Sequence, residues 1–306
     1  MKWDYREVEI NAIRPLSAAA SNLIVNHSIL NILNILHEEL VFLGFALEDN
    51  PEALGASLAI CRHYLGLLSD PNVSLHAATA GARYAAAIQH EVGEFASTHD
   101  LSDSTSGTAR TIANIESLLT ILNVRTRELT ARAHHQARWA EFDVADLQSN
   151  FAQVLQAITA NSRSRFSIVD RGDLQGPRDY LVELLILPRS GNAIAAPPIL
   201  VDVMRDLIAN ARKYTQPGGR IRATLSESSS RLNLTVEDSG RGIPESDLQR
   251  VVEFGERGSN VKDVRTMGGG FGLTKAFIVT RDYLGRFWLG SQQGAGTKVR
   301  LEIPVP

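Results

Sequence analysis

The chain has 306 residues and a single cysteine, Cys61, which excludes an internal disulfide and a cysteine-based zinc site and reads as a small core side chain. No stretch approaches about 18 consecutive apolar residues and the N-terminus lacks the apolar core of a signal peptide, so a cytoplasmic protein without a membrane span is expected. A net charge of −3 leaves no excess of positive charge and argues against a nucleic-acid surface. Histidine is missing from the whole second half, since all eight lie within the first 135 residues. Any histidine chemistry must therefore come from the front of the chain. At 44% hydrophobic and 21% charged, the composition is that of an ordinary soluble chain of about two domains.

What is present is concentrated in residues 206–273, where three motifs follow one another. DLIANARKY (206–214) lies in a helix predicted to begin near Pro198, with Ile199, Val203, Leu207 and Ala211 spaced along one buried face. Asn210 falls on another face, where its amide oxygen suits a hard cation such as Mg²⁺. Lys213 lies one turn on as a point charge for a phosphate, and Tyr214 adds a hydroxyl at the same end. LNLTVEDSGRGIP (232–244) reads as an alternating strand running into a turn at Ser239-Gly240. Asp238 at its end is an acceptor suited to the exocyclic amine of adenine, and Gly240 and Gly242 let the backbone approach a base. In GGGFGL (268–273), Gly268, Gly270 and Gly272 precede an apolar helical run that starts at Leu273, which sets free N–H groups and a positive helix end beside an anion. The polar, glycine-dotted residues 253–267 have the composition of a lid, with Arg257 and Lys262 as its phosphate contacts.

With these motifs in this order, residues from about 140 to 306 resemble the Bergerat-fold ATPase domain shared by gyrase, heat-shock-90, MutL and histidine kinases, and most of all its histidine-kinase branch. The Lys-Tyr-Thr at 213–215, the Phe-x-x-Arg-Gly at 254–258 and the GAGT at 294–297, with Thr297, belong to the same likeness. The resemblance implies ATP and Mg²⁺ as ligands, Asn210 as the metal residue, Asp238 on adenine N6 and residues 254–272 as the ATP lid. Four residues before the asparagine, where the mechanical ATPases carry a water-activating glutamate, stands Asp206, one methylene shorter. Hydrolysis is accordingly not expected to be the main activity.

The front of the chain reads as an α-helical bundle, with helices over about 12–48, 52–69, 75–98 and 108–134. On a wheel at about 100° per residue, Ile29, Ile32, Leu33, Leu36, Leu40 and Leu43 oppose His27. Asn26, Asn31, Asn34, His37 and Glu38 share its side, flanked by Leu23, Ile24 and Leu30 as a possible docking rim. A neutral imidazole is a competent nucleophile toward a γ-phosphoryl group. NHSILN (26–31) resembles the His-x-x-x-Asn of histidine-kinase dimerisation and phosphotransfer domains, which implies His27 as phosphoacceptor and Asn31 as a positioner. Ser28 stands where such families usually carry a charged residue, and His37, followed by Glu38, is the second candidate.

The expected architecture is thus α+β: a helical bundle over 1–138, for dimerisation or phosphotransfer, and a Bergerat-type α/β sandwich over 139–306. In the sandwich, Trp288 is expected to pack between sheet and helix. The expected function is a histidine kinase that binds ATP–Mg²⁺, is phosphorylated on His27 and passes the group to a response-regulator aspartate. A sensory partner or ligand on the helical region is also expected. Two other readings share the pocket: a serine/threonine kinase of the anti-sigma type, and an adaptor whose ATP pocket is regulatory. The bundle is open to two readings as well, a homodimer or four helices closing within one chain.

Overall fold

The computed structural model describes residues 6–70, 80–99, 107–133, 139–160, 168–169, 179–261 and 270–306. The chain divides into two compact units, Ser17–Gln136 and a second made of Met1–Leu16 with Ala137–Pro306.

The first unit holds α1 (Ala18–Glu48), α2 (Gly55–Ser69), α3 (Gly81–Ser97) and α4 (Gly107–Ala133). Ser17 starts α1 by accepting from the Ala20 N–H, and Asp49 ends it in the left-handed conformation. Helix α1 packs on α2 and α4, and α3 packs on the same two, so the four close a ring within one chain. The apolar seam expected for α1 is the one that packs, with Leu33, Leu36, Leu40 and Leu43 fully buried against Leu58, Tyr64, Ile88 and Leu122. The flank of His27 differs from expectation: Ile24 and Leu30 are buried, and Asn26 is buried too, donating to the last carbonyl layer of α2 at Leu68. A helix wheel measures angle only, and the neighbouring helix covers more than the apolar arc. Residues Asn26–Glu48 are long and apolar enough to cross a membrane by length and composition, although the run is interrupted by polar residues, and 44% of its most apolar window is buried inside the protein.

The second unit is a seven-stranded sheet in the order β1-β8-β9-β7-β6-β4-β3, with a two-stranded sheet β2-β5 beside it. Its strands are β1 (Glu7–Ile10), β2 (Ala140–Asp143), β3 (Ile168–Val169), β4 (Tyr180–Leu187), β5 (Ala193–Ala196), β6 (Arg220–Glu227), β7 (Arg231–Asp238), β8 (Arg286–Gln292) and β9 (Gly296–Pro304). The β3–β4 and β4–β6 pairs are parallel and the others antiparallel. Strict alternation sends Ile221, Ala223, Leu225, Leu232, Leu234 and Val236 to one face, where they share a core with α5 (Val144–Ala160), α6 (Pro198–Tyr214) and α7 (Gly272–Asp282). The other face is a lattice of ion pairs, among them Arg222–Glu183 at 2.7 Å, Lys298–Glu7 at 3.0 Å and Arg300–Glu7 at 2.7 Å.

Two expectations change. Residues 7–10 do not belong to the helical bundle expected over 1–138 but form an edge strand on β8, with Ile10 in the core of the second unit, so the bundle starts at Ser17. Trp288 lies on the ion-pair face, between the Arg286 and Arg300 guanidiniums at 4.7 and 3.6 Å from its ring. Phe287, one residue earlier and hence on the opposite face, meets Phe277 of α7 instead. The stretch 189–197 contains β5, which pairs with β2 from Ala193 to Ala196.

Candidate functional site

Helix α6 carries the first part of the site. Pro198 opens it, Arg212 and Lys213 fill its last turn, and Leu207 and Ala211 are buried beside Asn210. Asn210 meets the start of α7 so closely that a Cβ on Gly272 would lie 2.2 Å from Asn210 Nδ2. Only glycine fits there, and the amide is thereby held at the mouth of the glycine-rich segment. Gly270 precedes it with φ +78°, Leu273 occupies the first turn of α7, and Gly268 lies outside the described residues, as does Lys262.

Strand β7 ends at Asp238, only 7% exposed. Burial pushes its carboxyl up to about 7, against the opposing pull of the Gly240 and Thr297 N–H groups. Gly240 N–H donates to Asp238 Oδ1 at 2.8 Å. The Thr215 hydroxyl lies close enough to favour the carboxylate, although its geometry falls short of a hydrogen bond. The turn that follows is stitched from both sides. Arg241 N–H donates to Tyr214 O at 3.0 Å, and Ile243 N–H to Ser291 Oγ at 2.8 Å. Thr297 pairs with Asp238 across β7 and β9 and contacts the same Ser291 hydroxyl at 3.1 Å. Gly242 has φ +65°, and a Cβ there would stand 2.0 Å from the Gln292 carbonyl oxygen.

The two ends of the expected lid are pinned together by Phe254 and Phe271, stacked at 4.7 Å. Arg14 ties the N-terminal segment to the same root: its N–H donates to both Glu253 carboxylate oxygens, at 3.0 and 3.2 Å. Asp247 orders the near half, accepting from the Ser259 hydroxyl at 2.7 Å, from the Ser259 N–H at 2.6 Å and from Arg250 at 3.0 Å, which hold its carboxyl down at about 2. Asn260 Nδ2 donates to Gly242 O at 2.9 Å, so the lid root touches the turn after Asp238. Arg257 donates to Val261 O at 2.7 Å. Burial, then Arg257 and Arg212, push Lys213 down to about 8. These mutually repelling cations form a cluster that a polyphosphate would relieve.

In the other unit, Asn31 Nδ2 lies 3.1 Å from His27 Nε2 on a partly exposed stripe of α1. The amide nitrogen can only donate, so in this contact Nε2 accepts with its lone pair and Nδ1 carries the proton of the neutral ring. His37 is partly exposed on the same helix.

Asp206 is the site residue whose surroundings change its reading most. It accepts from Lys275 Nζ at 2.8 Å, and the same ammonium is bonded to Asp202. Sequence reasoning missed Lys275 and Asn260, and gave Thr215 only as part of the Lys-Tyr-Thr at 213–215. The available signal was a lysine inside the apolar run LTKAF, opposite two aspartates four residues apart.

The second unit thus combines an α/β sandwich, a buried acceptor at a strand end, a helix amide against a glycine-rich turn and a cluster of cations. Residues 195–306 match the family model described as histidine kinase-, DNA gyrase B-, and HSP90-like ATPase. The adaptive-response sensory kinase SasA of Synechococcus sp. (strain JA-2-3B'a(2-13)) is 34% identical over 110 residues, 36% of this chain and 29% of that kinase. Sensor histidine kinase WalK of Bacillus subtilis (strain 168) is 29% identical over 107 residues, 34% of this chain and 18% of that protein. The chain thus spans under a third of the length of these relatives. Among solved structures, the catalytic domain of histidine kinase ThkA matches with a TM-score of 0.39 at 18% identity, covering 55% of this chain and 98% of that domain.

Proposed function

We propose that the chain is a cytoplasmic, ATP-dependent protein histidine kinase of a two-component pathway, with His27 as its phosphoacceptor and a response-regulator aspartate as the onward acceptor. The observation that supports the reading is the set of buried Asp238 at the end of β7, Asn210 packed on Gly272, and Lys213 beside Arg257, which would serve different parts of one nucleotide. The curated relatives are named as sensory kinases, which supports the same class.

In this reading Asp238 accepts from the adenine amine, and the turn at Gly240–Gly242 lies against the base. Asn210 would hold Mg²⁺, which supplies charge compensation at the phosphates when bound. Lys213 and Arg257 contact the phosphates, and the Phe254–Phe271 stack fixes the root from which the lid closes. His27 attacks through Nε2: a nitrogen–phosphorus bond forms, the bond to the β,γ-bridging oxygen breaks and ADP leaves with that electron pair. The ring then loses the proton on Nδ1. Asn31 presents Nε2 before transfer and must release it for attack. Lowering of the barrier comes from positioning and charge.

The test is incubation with γ-labelled ATP and Mg²⁺. Wild type should acquire an acid-labile, base-stable label, lost in both His27→Ala and Asn210→Asp. A label that survives His27→Ala removes His27 as acceptor. An acid-stable label instead indicates a serine/threonine kinase.

A further inference from the structure

Helix α6 presents two carboxylates, Asp202 and Asp206, four residues apart and therefore on one face. Both are bonded to the single ammonium of Lys275 from α7, and the three side chains are only 7%, 15% and 5% exposed. One turn beyond Asp206 on the same face of α6 is Asn210, packed on Gly272, three residues before Lys275. The ion triad and the proposed metal residue are thus adjacent along the crossing of α6 and α7.

A carboxylate one turn from the metal residue stands where a base would take a proton from water approaching the γ-phosphorus. A buried ammonium bonded to that carboxylate favours its charged form and weakens it as a base. We propose that Lys275 is a positioning residue that withholds Asp206 from water activation, and so selects a protein side chain over water as phosphoryl acceptor. This rests on the ATP-kinase reading. The reaction suppressed is hydrolysis. Water oxygen bonds to the γ-phosphorus, the bond to the β,γ-bridging oxygen breaks, ADP leaves with the electron pair and Asp206 takes the water proton. Asp202 completes the arrangement by sharing the ammonium, so that neither acid must be protonated to be buried.

The test compares phosphate release from ATP–Mg²⁺ with ADP affinity by calorimetry. Lys275→Met combined with Asp202→Asn leaves Asp206 as the lone acid and should raise hydrolysis at least about tenfold, with ADP affinity within about threefold of wild type. Adding Asp206→Asn to that pair should abolish the gain. A purely structural lysine gives no gain of hydrolysis when it is lost. Lys275→Gln, of similar length and neutral, should also gain and serves where the double variant does not fold. Unchanged hydrolysis in a variant that binds ADP, or a gain that persists without Asp206, overturns the inference alone. Failure of wild type to bind ADP removes the nucleotide pocket and this proposal with it.

Discussion

Nucleotide affinity should follow a bell-shaped pH profile with its maximum at about pH 7.5. In the proposed pocket Asp238 would accept from the adenine amine best when ionised, and burial holds its carboxyl up at about 7. Lys213 would serve the phosphates only when protonated, and burial with Arg257 and Arg212 holds it down at about 8. The sign follows from each shift. Raising the Asp238 pKa makes the binding-competent form scarce below about 7, whereas lowering that of Lys213 makes it scarce above about 8. At about pH 7.5 roughly 60% of molecules carry both correct forms, and at about pH 6 or pH 9 roughly 9% do, a difference of about sixfold in affinity. Binding also shifts both groups, so the complex should release protons to the buffer below the maximum and take them up above it. Calorimetry of ADP binding in buffers of different ionisation enthalpy reads both quantities. Asp238→Asn should flatten the acid limb and Lys213→Met the alkaline limb. An affinity that is flat from about pH 6 to pH 9 in wild type would refute the reasoning. The same burial bears on the ligand-free fold. Stability from a protonated Asp238 is fully present below about 4 and is lost as pH rises through about 7.

Three further outcomes follow from the packing. Gly272→Ala sets a methyl 2.2 Å from Asn210 Nδ2, so Mg²⁺-dependent ATP affinity should fall about tenfold or more while the melting temperature changes little. Equal affinity would show that Asn210 is not held by that contact. Gly242→Ala combines a left-handed backbone with a Cβ 2.0 Å from a carbonyl oxygen and should cost about 3 kcal/mol, measured by urea denaturation. Ile10→Ala should cost about 3 kcal/mol in the unfolding of the second unit, and a fragment starting at residue 139 should be less stable than one that retains β1. Independence of the two from each other would contradict the edge-strand pairing.

The proposed pocket could be read from sequence because its parts are local: Asn210, Asp238 and Gly272 each sit in a short motif whose residue types the proposed chemistry would constrain. The alternating strands β6, β7 and β9 and the seam of α1 were legible for the same reason, since a period of two or 3.6 states which face is buried. What was not legible depends on partners far away in the chain. Strand β1 is four residues long and owes its conformation to β8, about 280 residues later. The face of Trp288 is decided by strand parity, which places Phe287 inward, and by arginines on two strands, although a large aromatic by itself suggests a core. The ion pair of Asp206 with Lys275 was not read from the sequence, because the lysine inside LTKAF does not by itself say which of the distant carboxylates it meets. Similarly, Asn26 looked exposed on a wheel that could not include α2.

The most direct measurement is site mapping of the phosphoryl group by peptide mass spectrometry under neutral to alkaline conditions, after incubation of the full chain with ATP and Mg²⁺. The account predicts a phosphohistidine at His27, absent from Asn210→Asp. Phosphate on a serine or threonine, or on His37 with His27 unmodified, would contradict it.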